Sequence, residues 1–123
     1  MMPNEKTILL VDDSPIIITR VKALLEDEGV TGTIRSAENY ATALSQLAEG
    51  LPHLLILDIN LPGKNGIELL KYARANYPSL TVIMLTNQST DYNRTMCTRL
   101  GASHFIDKST EFEQLPSIIA SYC

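Results

Sequence analysis

Two hydrophobic periods alternate along this chain. Short aliphatic runs at residues 7–11, 54–57 and 81–86 are apolar at successive positions, as in strands covered on both faces of a sheet. Residues 31–36 are brief and β-branched but carry Arg35, which predicts an edge strand. Residues 104–106 make a short fifth strand. Between these runs the period changes to that of a helix. Ile17, Val21, Leu24 and Leu25 mark a first helix, Tyr40, Leu44 and Leu47 a second, and Ile67, Leu70 and Ala73 a third. A fourth over residues 89–100 has only Tyr92, Met96 and Leu100 as its stripe and is expected to be the most weakly held. Phe112, Leu115, Ile119 and Tyr122 mark the fifth, whose internal Pro116 predicts an irregular first turn and regular helix from about that residue.

The punctuation agrees with this reading. Asp12-Asp13-Ser14-Pro15 is a helix start, with a capping side chain and a proline where its missing N–H costs nothing. Asn39 caps the second helix, and Gly29, Gly50 and Gly101 stand where helices should stop. Strict strand–helix alternation implies a parallel sheet with right-handed crossovers. Five strands then favour an α/β, flavodoxin-like (βα)5 three-layer sandwich with strand order 2-1-3-4-5, one domain over residues 1–123.

Composition narrows the function. A net charge of −4 gives no electrostatic hold on nucleic acid. No apolar run is long enough to span a bilayer, and residues 1–6 are polar with no signal-peptide core behind them, so a cytoplasmic protein is expected. Cys97 and Cys123 read as incidental thiols of a reducing compartment.

In the expected strand order the chemistry converges. Asp12 and Asp13 end strand one, Asp58 ends the central strand just before Leu61-Pro62-Gly63, Thr86 ends strand four and Lys108 follows strand five. Strand spacing is ~4.8 Å, so strand five lies ~10 Å from the centre and supplies the longest side chain. Three carboxylates at one edge repel, and a divalent cation together with the lysine is the natural compensation. Oxygen donors without a Cys or His cluster point to Mg2+. A carboxylate beside a metal, a lysine and a hydroxyl is suited to accept a phosphoryl group. His53 precedes strand three at the opposite end of the sheet and His104 begins strand five; neither is expected to do chemistry.

Val11-Asp12-Asp13, Asp58 with Leu61-Pro62-Gly63 and Gly66, Thr86, and Phe105 three residues before Lys108 together resemble the receiver domain of two-component response regulators, in the single-domain, CheY-like form. The resemblance spans residues 6–122. It implies that Asp58 accepts a phosphoryl group from a histidine kinase or phosphotransfer protein. It further implies Asp13 and Asp58 as direct magnesium ligands, Asp12 as a ligand through water, and Asn60 as a ligand through its carbonyl. Lys108 would contact the phosphoryl group, Thr86 and Phe105 would be the switch pair, and a downstream protein would dock on the face of the fourth helix, fifth strand and fifth helix.

Two positions depart from that pattern. Ser109 follows Lys108 where the family usually has a proline in a cis bond, and Asn87 stands where a small residue is usual and is expected to crowd the phosphoryl site. The alternatives are a receiver-like scaffold that is never phosphorylated, a receiver cut from a longer regulator, and an aspartate-nucleophile phosphatase. The last wants a second carboxylate two residues after Asp58, where Asn60 stands. A turnover enzyme is therefore not expected.

Overall fold

The computed structural model describes residues 6–30 and 32–122. Five strands, β1 (Lys6–Val11), β2 (Gly32–Ala37), β3 (Leu54–Leu57), β4 (Thr81–Thr86) and β5 (His104–Asp107), alternate with α1 (Pro15–Asp27), α2 (Tyr40–Glu49), α3 (Gly66–Asn76), α4 (Asp91–Arg99) and α5 (Leu115–Ser121). All pairings are parallel and the order is β2-β1-β3-β4-β5, as the alternation requires.

Side-chain alternation along each strand divides the apolar residues between two cores. Leu9, Val11, Leu55, Leu57, Val82 and Met84 face α2, α3 and α4, meeting Ala43, Leu47, Leu69, Leu70, Ala73 and Cys97. Ile8, Leu10, Leu54, Ile56, Ile83, Leu85 and Ile106 face α1 and α5, meeting Val21, Leu25, Leu115 and Ile119. Three layers result, and β3 is buried at every position. Arg35 on the edge strand does not enter the core; its guanidinium donates to the carbonyl and side-chain oxygens of Gln46 and to the Gly50 carbonyl, closing the C-terminal end of α2.

Helix starts follow the capping logic. Ser14 Oγ accepts from the Ile17 N–H, Asn39 Oδ1 from Thr42, Asn65 Oδ1 from Glu68 and Thr90 Oγ1 from Asn93. Several boundaries differ from expectation. β2 reaches Ala37, while Thr31 lies outside the described residues, as does Cys123. α4 begins at Asp91 rather than at residue 89, with Thr90 as its cap and the Ser89 hydroxyl bonded to Asp107 in the preceding loop. The irregular turn is a 3-10 segment over Phe112–Gln114, and regular helix resumes at Leu115 with Pro116 in its first turn.

The stripe of α4 needs correction. Its buried residue is Cys97, and Leu100 of the expected stripe packs half-buried against the same core, whereas Tyr92 is 70% exposed and, with Thr95, Met96 and Arg99, lines an open apolar groove. The helix presents Cys97 to the sheet because Asn93 and Arg94 on the neighbouring turn hydrogen-bond to Gln88 and to β5, which fixes its rotation by polar rather than apolar contacts.

Candidate functional site at the carboxyl edge of the sheet

Chain and register place the site. Asp12 continues β1 past Val11, and its N–H is held by the Ala37 carbonyl; Asp58 continues β3, and its N–H is held by the Val11 carbonyl. Both carboxylates therefore leave the sheet at the same level on adjacent strands. Asp12 is fully buried and Asp58 nearly so. Lys108, held by its N–H to the Thr86 carbonyl, extends its ammonium across the edge to both of them. Lys108 Nζ lies 2.7 Å from Asp12 Oδ2 and 2.8 Å from Asp58 Oδ2.

One ammonium does not balance these acids. Burial raises the Asp12 carboxyl above its usual range, an effect that the hydrogen bond from Lys108 opposes but does not cancel. Burial by itself lowers Lys108, yet the hydrogen bonds and charges of Asp12 and Asp58 outweigh it and leave its pKa raised. The lysine is thus a fixed cation at neutral pH.

The set suits a metal ion. Asp12, Asp13 and Asp58 each offer a carboxylate oxygen within 4.8 Å of the others, and Asp13 is exposed on the open side. Asp12 Oδ2 is buried with no hydrogen-bond partner beyond the ion pair with Lys108, an acceptor with unused capacity. Oxygen donors alone, with charge to neutralise, fit a hard divalent cation. Asn60 is exposed, and its N–H bonds Asp58 Oδ1 at 3.3 Å, which folds the chain after β3 back over the carboxylate.

Gly66 explains how α3 comes so close. A Cβ there would lie 1.9 Å from the Asp58 carbonyl oxygen and 2.8 Å from its carbon, while the Gly66 N–H bonds the Ile59 carbonyl at 2.8 Å. No other residue type fits.

Thr86 is fully buried at the end of β4, and its Oγ1 accepts from the Gln88 N–H, which leaves its own O–H to donate. Met84 pairs with Phe105, so Thr86, two residues on, shares a sheet face with Phe105. Phe105 is half-buried against the core under α2–α4, and the Arg94 guanidinium sits 4.8 Å from its ring centroid while donating to its carbonyl. Asn87 is exposed immediately beyond Thr86. The Lys108–Ser109 bond is trans, as are all peptide bonds among the described residues. Every residue expected at this edge is there. His53 and His104 are not: the first lies at the opposite end of the sheet, its Nδ1 accepting from the Thr7 N–H, and the second packs edge-on against Tyr122.

Sequence reading missed two elements. Arg94 joins α4 to Phe105 and Glu111, a contact between distant segments that no local pattern announces. Asp107 organises the turn after Lys108; there the signal was present, since Asp followed by Ser109 and Thr110 is the pattern of a side-chain-capped turn.

An α/β protein whose polar burial is gathered at the carboxyl ends of its strands is the class that fold and site define. Comparison with known proteins makes it specific. The sequence model of the response regulator receiver domain matches residues 8–120. The chain is 34% identical over 110 residues to the nitrogen assimilation regulatory protein NtrX of Azorhizobium caulinodans, covering 88% of this chain and 24% of that protein. It is 33% identical over 117 residues to the nitrate/nitrite response regulator protein NarL of Escherichia coli, covering 93% of this chain and 54% of that one. The crystal structure of a CheY-like response regulator receiver domain protein from Methanospirillum hungatei superposes with a TM-score of 0.85 at 30% identity, over 96% of this chain and 93% of the other. The chain belongs to the response regulator receiver domain family. It spans about a quarter to a half of the length of the two curated relatives. No described helix is long and apolar enough to cross a membrane.

Proposed function

We propose that Asp58 accepts a phosphoryl group from the phosphohistidine of a histidine kinase or phosphotransfer protein, in a Mg2+-dependent reaction, and that the modification alters the face formed by α4, β5 and α5. The observation that carries this reading is the single ammonium of Lys108 shared between two buried carboxylates beside a third. An Asp58 carboxylate oxygen attacks phosphorus, the P–N bond of the donor breaks, and the electron pair returns to the donor imidazole. Asp58 needs no general base because a carboxylate is already ionised at neutral pH. Asp12, Asp13, Asp58 and the Asn60 carbonyl would hold Mg2+, which would supply positive charge for the transferring oxygens. Lys108 and the Thr86 hydroxyl donate to those same oxygens. Once Asp58 is an acyl phosphate its negative charge moves outward, and Lys108 exchanges a carboxylate partner for a phosphoryl one.

Thr86 then draws toward the phosphoryl group and Phe105, on the same sheet face, turns into the vacated space. A downstream protein reads that change. Asn87 borders the pocket and tunes access to it. Asn60 has no carboxyl to serve as a general acid, which separates this chain from phosphatases that turn over an aspartyl phosphate. Residues 1–123 are read as one receiver domain acting in the cytoplasm.

Incubation with acetyl phosphate and Mg2+, followed by intact mass and peptide mapping, tests the assignment. One phosphoryl adduct on Asp58 is expected, lost in Asp58→Asn and in excess chelator. Labelling that survives in Asp58→Asn places the acceptor elsewhere, and a chain that takes no label is a scaffold.

A further inference from the structure

Lys108 must reach across the edge from β5 to Asp58 and Asp12, and its geometry depends on the turn that follows it. That turn has no proline after the lysine and no cis bond. What shapes it is one side chain. Asp107 Oδ1 accepts from the Ser109 N–H at 2.7 Å, the Ser109 hydroxyl at 2.6 Å and the Thr110 N–H at 3.1 Å. Asp107 Oδ2 accepts from the Ser89 hydroxyl, in the loop three residues past Thr86. The main chain of Asp107 is also tied, its N–H to Glu111 Oε1 at 2.9 Å and its carbonyl to the Glu111 N–H at 2.9 Å.

We propose that Asp107 is a positioning residue for phosphoryl transfer: its carboxylate clamps the turn after Lys108 to the loop after Thr86, holding the ammonium on Asp58. Both groups that would donate to the phosphoryl oxygens sit one or three residues from this clamp. A proline can fix only its own φ, whereas this carboxylate ties two loops together. Hydrogen bonds from Ser109, then Ser89, hold the Asp107 carboxyl well below the usual carboxylate range, so it is a charged acceptor at neutral pH. Without it the Ser109 and Thr110 N–H groups turn to water, and beyond the strand the turn around Lys108 keeps only the bonds between the Asp107 main chain and Glu111.

This inference rests on Asp58 as the acceptor, so its test has a readout that does not. Asp107→Ala, Asp107→Asn, Lys108→Ala and the Asp107→Ala/Lys108→Ala double variant are compared with the parent protein. The measurements are the rate of Asp58 labelling by acetyl phosphate at saturating Mg2+, the Mg2+ Kd from the Asp13 amide shift, and the NMR order parameter of the Lys108 side chain without any ligand. Asp107→Ala is expected to label about tenfold more slowly, the scale of loss that a small misplacement of a positioned group causes. Its Mg2+ Kd should be unchanged and its Lys108 side chain more mobile. Asp107→Asn keeps the Oδ1 acceptor, and its amide can donate to the Ser89 hydroxyl oxygen in place of the lost Oδ2 acceptor, so it should label at close to the parent rate. The double variant should be no slower than Lys108→Ala, since one clamp acts through one lysine. Parental labelling and parental Lys108 order in Asp107→Ala would overturn the proposal, as would a slowing that adds in full to that of Lys108→Ala. If the parent itself takes no label, the phosphoacceptor reading fails, and the Lys108 order parameter alone decides whether Asp107 positions the lysine.

Discussion

The two ends of the sheet are built from the same kind of strand and hold opposite kinds of polar chemistry. At the amino end, Thr7 and His53 exchange bonds reciprocally: the Thr7 N–H donates to His53 Nδ1 at 3.0 Å, and the His53 N–H donates to the Thr7 carbonyl at 2.8 Å. Each of these two backbone donors has one acceptor. At the carboxyl end two buried carboxylates share one ammonium beside a third, and the fully buried Asp12 has an oxygen with no partner beyond that ammonium. A closed pair has nothing to gain from a ligand. An unbalanced cluster changes its energy whenever a cation binds or a charge is moved, which makes that end responsive.

Breaking the balance further gives the largest expected effect. Lys108→Met leaves Asp12 and Asp58 facing each other without their counter-charge, and losing one partner of a buried ion pair costs about 3 kcal/mol. The lysine side chain is 8% exposed, so solvent screening recovers little of this. Mg2+ replaces the missing positive charge, and the variant should therefore gain more stability from Mg2+ than the parent does. Urea midpoints with and without Mg2+ measure both quantities. An equal Mg2+ response in the two proteins would show that the metal and Lys108 do not compensate the same charge.

That cluster was largely legible in the sequence because it is a consequence of topology. Strict alternation fixes the strand order, strand order fixes which strand ends are neighbours, and the residues at those ends are then neighbours whatever the loops do. Reach followed as well, since Lys108 is long enough to cross from β5. Rotation of α4 was not legible. Tyr92, Met96 and Leu100 repeat at helical spacing, but the helix turns Cys97 inward because Asn93 finds a polar partner in the preceding loop and Arg94 one in β5. Periodicity counts apolar residues, and a helix with few of them is oriented by hydrogen bonds that periodicity does not see. The turn after Lys108 was obscured for a related reason. The resemblance drew attention to a missing proline, while the Asp107 carboxylate that does the shaping lies on the other side of the lysine.

A smaller effect, and a sharper one, comes from the approach of α3 to the site. Gly66→Ala puts a methyl group 1.9 Å from the Asp58 carbonyl oxygen, and the neighbour is backbone rather than a side chain that can swing aside. Overpacking of this sort costs about 1–3 kcal/mol. Because the displaced group is the peptide that carries Asp58, labelling by acetyl phosphate should slow together with the loss of stability. Full labelling in a destabilised Gly66→Ala protein would mean that α3 recoils and the carboxylate keeps its place.

The smallest effect belongs to the amino end and is the control for the comparison. His53→Ala removes the acceptor of the Thr7 N–H, but that bond is exposed, and water can take over as acceptor. A hydrogen bond of this kind contributes about 0.5–1 kcal/mol, and an exposed one falls at the lower end. The His53 N–H still reaches the Thr7 carbonyl through the backbone, so pairing at the start of β3 persists whatever the side chain is. The strands that run from this end to the carboxylates are packed between the two cores along their length. Labelling of Asp58 and the Mg2+ Kd should therefore match the parent within error, with a urea midpoint only slightly lowered. A labelling rate in His53→Ala as slow as that of Asp107→Ala would show that disturbance travels the length of the sheet, and the separation of a closed end from a responsive one would not hold.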